Sequence, residues 1–257
     1  MSVVRLVALG TLLHTKQLSR SPFEIATAFV VPLVQATLAV YLFRAGTEPH
    51  RLLEAAVGAG MMAVWSSVLF GSGGAIQNQR WQGTLEMLML APRPPALLIF
   101  PITLATAVTG TYAMMATLVW GRLVYGIPLD VADPVGFLVA VPAVILGLGM
   151  FGLLLASTFV LMPNANALNN TLEYPIWLVS GMLVPVTVLP GWTGPLGAVL
   201  PTTWASRAVR EAATGSGPVW PSLGVCLAIS AVCLAAGTVV MSHVERRARA
   251  NATLALA

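Results

Sequence analysis

Residues 78–92 read Asn78-Gln79-Arg80-Trp81-Gln82-Gly83-Thr84-Leu85-Glu86-Met87-Leu88-Met89-Leu90-Ala91-Pro92, a short amphipathic island between two long apolar runs. Thr84 is a suitable N-cap for a short helix, Glu86 falls in its favourable first turn, and Pro92 stands near the stop. At about 100° per residue, Trp81, Thr84, Leu85, Leu88 and Met89 share one side, and Gln79, Gln82, Glu86 and Arg93 share another. Met87 and Leu90 break the pattern, so more than one face is apolar. That much exposed Leu and Met fits a surface on which something docks. The same amphipathicity also fits a helix lying among lipid headgroups.

Outward from this island the composition is that of a membrane protein. The 257 residues are 57% hydrophobic and 9% charged, whereas a soluble domain carries about 25% charged residues. The charges cluster between apolar runs of about 18 residues or more, the signature of a helical multispan chain. The net charge of +4 is too small and scattered to argue for a nucleic-acid surface and reads better as topology. Lys16 is the single lysine beside twelve arginines, a bias of GC-rich bacterial genomes. Cys226 and Cys233 would lie about 10.5 Å apart along one helix, beyond disulfide reach within it. There is no Cys-X-X-Cys and no cluster of metal ligands.

Six spans are expected, over residues 24–43, 52–76, 97–120, 135–161, 171–189 and 221–241, each able to cross about 30 Å of hydrocarbon. Residues 3–20 lack a signal-peptide pattern: Arg5 interrupts the apolar piece, and Lys16 and Arg20 follow it. These three bases fall within roughly 60° of arc, which predicts an interfacial helix with a basic stripe. With both termini inside, eight basic residues (Arg5, Lys16, Arg20, Arg80, Arg93, Arg246, Arg247 and Arg249) face the cytoplasm, against five (Arg44, Arg51, Arg122, Arg207 and Arg210) outside. The positive-inside rule favours that orientation and puts residues 78–92 inside as well. In the second span Ala55, Ala59, Ala63, Ser67, Gly71 and Ala75 recur every fourth residue, a spacing that lets helices approach closely in lipid. Packing within the chain is the expected use of that ladder.

Residues 183–210 hold Pro185, Pro190, Pro195 and Pro201, which no uninterrupted helix accommodates, yet they are too apolar for an exposed loop. Short broken helices buried against protein in the outer leaflet satisfy both constraints, with the re-entrant part over 190–210. Two motifs then resemble one family. Gly83, Thr84, Leu85, Glu86, Leu88 and Pro92 match a cytoplasmic segment of type-2 ATP-binding-cassette permeases, which usually carry acids where this chain has Gln79 and Gln82. Ser180-Gly181, Pro185, Leu189-Pro190-Gly191-Trp192, Leu200-Pro201 and Arg207 are similar to that family's outer segment. With six spans and an interfacial start, the resemblance covers most of the chain.

The resemblance implies an all-α polytopic fold in one permease domain, 1–257, in the bacterial cytoplasmic membrane. It implies that residues 78–92 are a coupling helix seated in a separate ATPase subunit, with Arg80, Gly83, Thr84, Leu85, Glu86, Leu88 and Pro92 making the contact. Two ATPase copies, which hold ATP and Mg, would serve two permease chains, identical or related. Met61, Met62, Trp65, Phe70, Tyr174, Trp177 and Met182 are the implied lining of a cleft between the permeases. Pro185, Pro190, Gly191 and Trp192 would shape an outer lid, with Arg207 and Arg210 anchoring it at the headgroups. The implied activity is export of hydrophobic or amphipathic drugs, natural products or lipids.

The residues themselves support a non-catalytic chain. No Gly-x-x-x-x-Gly-Lys-[Ser/Thr] surrounds Lys16, so no phosphate-cradling loop is expected. His14, His50 and His243 lie outside the expected spans, which removes a membrane-buried Ser–His dyad. The acids fall at span ends or in loops, Glu173 deepest, near the cytoplasmic mouth of the fifth span. The alternative is a self-contained channel or secondary carrier, in which residues 78–92 are merely interfacial. Such carriers usually keep ionisable groups at mid-membrane.

Overall fold

The structure is a computed structural model that describes residues 3–20, 22–44, 49–83, 87, 91, 93–161, 165–183, 186 and 189–251. Among them nine helices follow in order. These are α1 (Val3–Leu18), α2 (Pro22–Arg44), α3 (Pro49–Trp81), α4 (Pro95–Tyr125), α5 (Pro134–Val160), α6 (Ala165–Val179), α7 (Thr193–Val199), α8 (Pro201–Thr214) and α9 (Val219–Asn251). Among the described residues four stretches are long and apolar enough to cross a membrane: Leu52–Trp81, Pro95–Tyr125, Pro134–Val160 and Val219–Arg246. In α2 the apolar part is Phe29–Tyr41.

The bundle is arranged around α3. Of its most apolar stretch 83% is buried inside the chain, against 22% for α9, so α3 is the axis and α9 a peripheral stave. Helices α2, α4, α5, α6 and α8 all pack on α3. The approach of α4 depends on small residues. A side chain at Gly71 would collide with Thr106, and one at Gly110 would meet the Val64 Cα at 2.9 Å. Ser67, between them, donates its hydroxyl to the Thr106 carbonyl at 2.8 Å. Ala55, Ala59 and Ala63 are buried too, so the four-residue ladder is spent on packing within this chain.

Two further seams use the same device. Gly147 of α5 faces Ser230 and Cys226 of α9, and Gly237 of α9 lies against the Leu154 backbone. Gly152 meets Ser72, Thr103 and Val68, where α3, α4 and α5 converge. Both cysteines are free. Helix α2 is pinned to α4 by Thr37, whose hydroxyl oxygen accepts from Trp120 Nε1 and Tyr125 Oη, each at 3.2 Å. Away from its buried side at Ala36, Ala39 and Val40, α2 exposes Phe29, Val30, Val34 and Leu38, as a helix facing lipid or another membrane chain does, while Tyr41 lies edge-on to Tyr125.

Helix α1 buries no residue of its own and lies on α4, with Gly10 close to Pro101. Loss of hydration holds the His14 imidazole below its ordinary value. Elsewhere the elements run longer than the apolar runs predict: α3 extends to Trp81, so Asn78, Gln79 and Arg80 form its last turn.

The fifth expected span, 171–189, is different. The helix starts at Ala165 and stops at Val179, about 22 Å of rise, short of the hydrocarbon thickness. Gly181, at φ +69°, ends it. Its N–H bonds the Leu178 carbonyl and the Met182 N–H bonds the Trp177 carbonyl, the paired bonds of a Schellman motif. The apolar run continues past that stop, which is why hydropathy overshoots the end. The broken helices expected over 190–210 are α7 and α8, divided at Leu200, which is extended (ψ 127°) ahead of Pro201.

Gly110→Ala is expected to lower stability by about 1–3 kcal/mol, because the new methyl meets backbone that cannot step aside. Gly224→Ala, which points into open space, is expected to leave stability unchanged or raise it by up to about 1 kcal/mol. Thermal unfolding of the two variants in detergent checks the contrast.

Candidate functional site

The root of the 78–92 segment is a helix end. Gly83 adopts φ +67° and its N–H bonds the Arg80 carbonyl, so the chain leaves α3 in a left-handed turn that favours glycine. Gln82 donates its side-chain amide to Asn78 at 3.0 Å. Arg80 Nη2 donates to the Val160 carbonyl at the C-terminal end of α5. A cation there satisfies a carbonyl that lacks a helical partner and complements the helix dipole. The same bond ties the root of the segment to a second long helix. Trp81 and Met87 are both about three-quarters exposed. Thr84, Leu85, Glu86, Leu88 and Pro92 lie outside the described residues.

Beneath this corner is a small core of its own, built from Ile76, Ala96, Ile99, Leu153, Val160 and Met241. It draws on α3, α4, α5 and α9. The helices that flank the segment in sequence, α3 and α4, are therefore held together by apolar packing near its root.

The residues implied for a cleft separate into two groups. Met61, Met62, Trp65 and Met182 are buried within this chain, and Trp65 stacks on Phe151 with centroids 5.7 Å apart. Phe70 and Tyr174 are exposed and Trp177 is half-buried. Tyr174 and Trp177, three residues apart on α6, meet edge to face at 5.0 Å. Beside them Glu173 is buried and accepts a 2.7 Å bond from Ser66 Oγ of α3. It sits near the middle of α6, because that helix begins six residues before the expected span.

At the opposite end of α3, Pro190, Gly191 and Trp192 are exposed ahead of α7, and Pro185 lies outside the described residues. Arg207 is exposed, 5.7 Å from the Trp204 ring centroid and 2.9 Å from Glu211. Arg210, expected beside it as a headgroup anchor, turns inward. Its Nη2 donates to the Gly181 carbonyl at 2.9 Å and the Met182 carbonyl at 3.4 Å, and Glu54 of α3 acts on it electrostatically. Ser180 and Thr202 add a 2.6 Å hydroxyl contact across the same gap. The loop before α5 closes the far end of α8: the N–H groups of Ala132 and Asp133 bond the Ala213 and Ala212 carbonyls.

Sequence reading singles out neither Glu54–Arg210 nor Ser66–Glu173. Their partners are more than a hundred residues apart, and no local period marks them. Among the described residues no three His, Cys, Asp or Glu side chains gather as a metal site would require.

A profile of the family described as ABC-2 type transporter matches residues 11–213, well over half of the chain. Among curated proteins nothing matches.

Arg210→Ala is expected to cost about 2–3 kcal/mol, since two carbonyls at the end of α6 lose their donor. Hydrogen exchange should then quicken at the amides of 180–183 before it does in α3. Trp65→Ala is expected to cost about 3–5 kcal/mol through the cavity it leaves, and Tyr174→Ala far less. Denaturation midpoints of the purified variants check both.

Proposed function

The chain belongs to the ABC-2 type transporter family and is the transmembrane component of an ABC transporter, and from that premise we propose that it works as a passive lever bundle in an exporter. A separate ATPase subunit, present twice, binds ATP and Mg and grips residues 78–92. A second permease chain, identical or related, completes the pathway. Both termini lie in the cytoplasm of a bacterium, and the cargo is a hydrophobic or amphipathic molecule.

The observation that carries this reading is the continuity of α3. Its 33 residues run unbroken for about 50 Å, from the Glu54–Arg210 end to the turn at Gly83. A push on the 78–92 segment therefore reaches the far side of the bundle along one rigid rod. Arg80 shares the push with α5, and the close α3–α4 seam moves α4 with it. At the far end Arg210 links α8 to the broken end of α6, and Gly58 of α3 lies close to both. Tilting α3 there would displace the short helices α7 and α8 and open the outer side. The exposed Trp81 and Met87 support a protein surface at the other end, because both would be covered by a clasping partner.

The test is capture of the ATPase. Leu85→Asp with Leu88→Asp is expected to abolish its copurification with the chain while the thermal midpoint of the permease stays within a few degrees of wild type. Transport that persists in vesicles free of any nucleotide-hydrolysing subunit would sink the exporter reading in favour of a self-contained carrier.

A further inference from the structure

We propose that Glu173, Tyr174 and Trp177 of α6 form a membrane-embedded site that holds the positive charge of a cationic amphipathic substrate. This deepens the exporter reading above and rests on it for the direction of transport. The starting point is an acid in an expensive place. Glu173 is 8% exposed, within an apolar bundle, and its hydrogen-bond partner is the Ser66 hydroxyl at 2.7 Å. No Lys or Arg among the described residues pairs with it. A carboxylate in hydrocarbon is costly, and intramembrane acids are retained where they meet a charge or a proton. An apolar residue would pack between α3 and α6 without that cost, so packing alone gives no reason for an acid here.

Its surroundings select the partner. Tyr174 is exposed and meets the half-buried Trp177 edge to face at 5.0 Å, next to the carboxylate in sequence and one turn beyond it. An aromatic pair beside an acid is the chemistry that recognises an organic cation, through ring quadrupoles and one opposite charge. A compact hydrated metal ion finds too few oxygen ligands there. The polar stripe continues one turn down α6. Asn169 is fully buried against Gly73, and neither atom of its amide has a hydrogen-bond partner. Trp177 Nε1 is likewise without one. These groups offer hydrogen bonds to polar substituents on the same ligand. The exposed side of Tyr174 opens the site toward lipid or a neighbouring membrane chain, so an amphiphile reaches it without crossing the core.

The test uses the purified full-length chain in nanodiscs of phosphatidylglycerol alone, with tetraphenylphosphonium as the probe and tetraphenylborate as its anionic isostere. Wild type is expected to bind the cation saturably and the anion only by partition into lipid. Glu173→Gln, which keeps the side-chain shape, is expected to weaken cation binding about tenfold or more and leave the anion unchanged. Tyr174→Leu, at an exposed position, is expected to weaken it about threefold. Equal cation binding by wild type and Glu173→Gln, or no saturable binding by wild type, overturns the proposal. Should Glu173→Gln fail to fold, unchanged binding in Tyr174→Leu does so instead. Loss of the cation on adding phosphatidylethanolamine would assign the site to a lipid amine and overturn the substrate assignment. None of these measurements needs the ATPase, so their failure is distinct from failure to capture that subunit.

Discussion

A backbone carbonyl without a donor costs several kcal/mol in hydrocarbon, and every break in a membrane helix creates such groups. Among the described residues, three helix ends are met by a specific side chain. Arg210 reaches from α8 to the carbonyls of Gly181 and Met182 where α6 stops short. Arg80 reaches from α3 to the last carbonyl of α5. Asp133 accepts from the Gly136 N–H at the start of α5. The repairs that cross between helices also couple them, because the arginine that satisfies one helix end is carried by another. Arg80 thereby joins the Gly83 end of α3 to α5, and near the other end Gly58 of α3 lies close to the Met182 carbonyl and Arg210.

Close packing does the rest. Between lipid tails and leucine side chains there is little hydrophobic difference, so helices in a membrane associate through fit rather than through exclusion of water. Gly71 under Thr106, Gly110 over Val64, Gly147 under Ser230 and Gly237 on Leu154 bring backbones close enough for that fit. The small residues are therefore committed to internal seams. Among the described residues the bundle leaves apolar side chains exposed on several helices, Val30, Val34 and Leu38 of α2 and Tyr174 of α6 among them.

Much of this was legible in the linear order of residues. Apolar run lengths locate the long helices, and their ends shift by only a few residues, except where a helix continues into polar sequence as α3 does through Asn78–Gln79–Arg80. The ladder from Ala55 to Gly71 announces close packing, and four prolines announce the broken stretch after α6. The candidate site was legible only in part. Gly83 stands where its type requires, in a left-handed turn. By contrast, nothing local to Met61, Met62, Trp65 and Met182 tells that all four are buried inside the chain while Tyr174 is not. In a membrane helix every face is apolar, so the sequence period that separates core from surface in water carries no signal.

By itself, then, the order of residues determined the class of the protein and the approximate extent of its four longest apolar helices. Those depend on composition and on contacts within a turn or two of chain. Only the tertiary structure decided that α6 stops at Val179, that Arg210 turns inward to the Gly181 and Met182 carbonyls, and that Glu173 lies against Ser66. The physical reason is range. A hydrogen bond between residues more than a hundred positions apart exists only once helices have packed, and it leaves no trace in either segment alone.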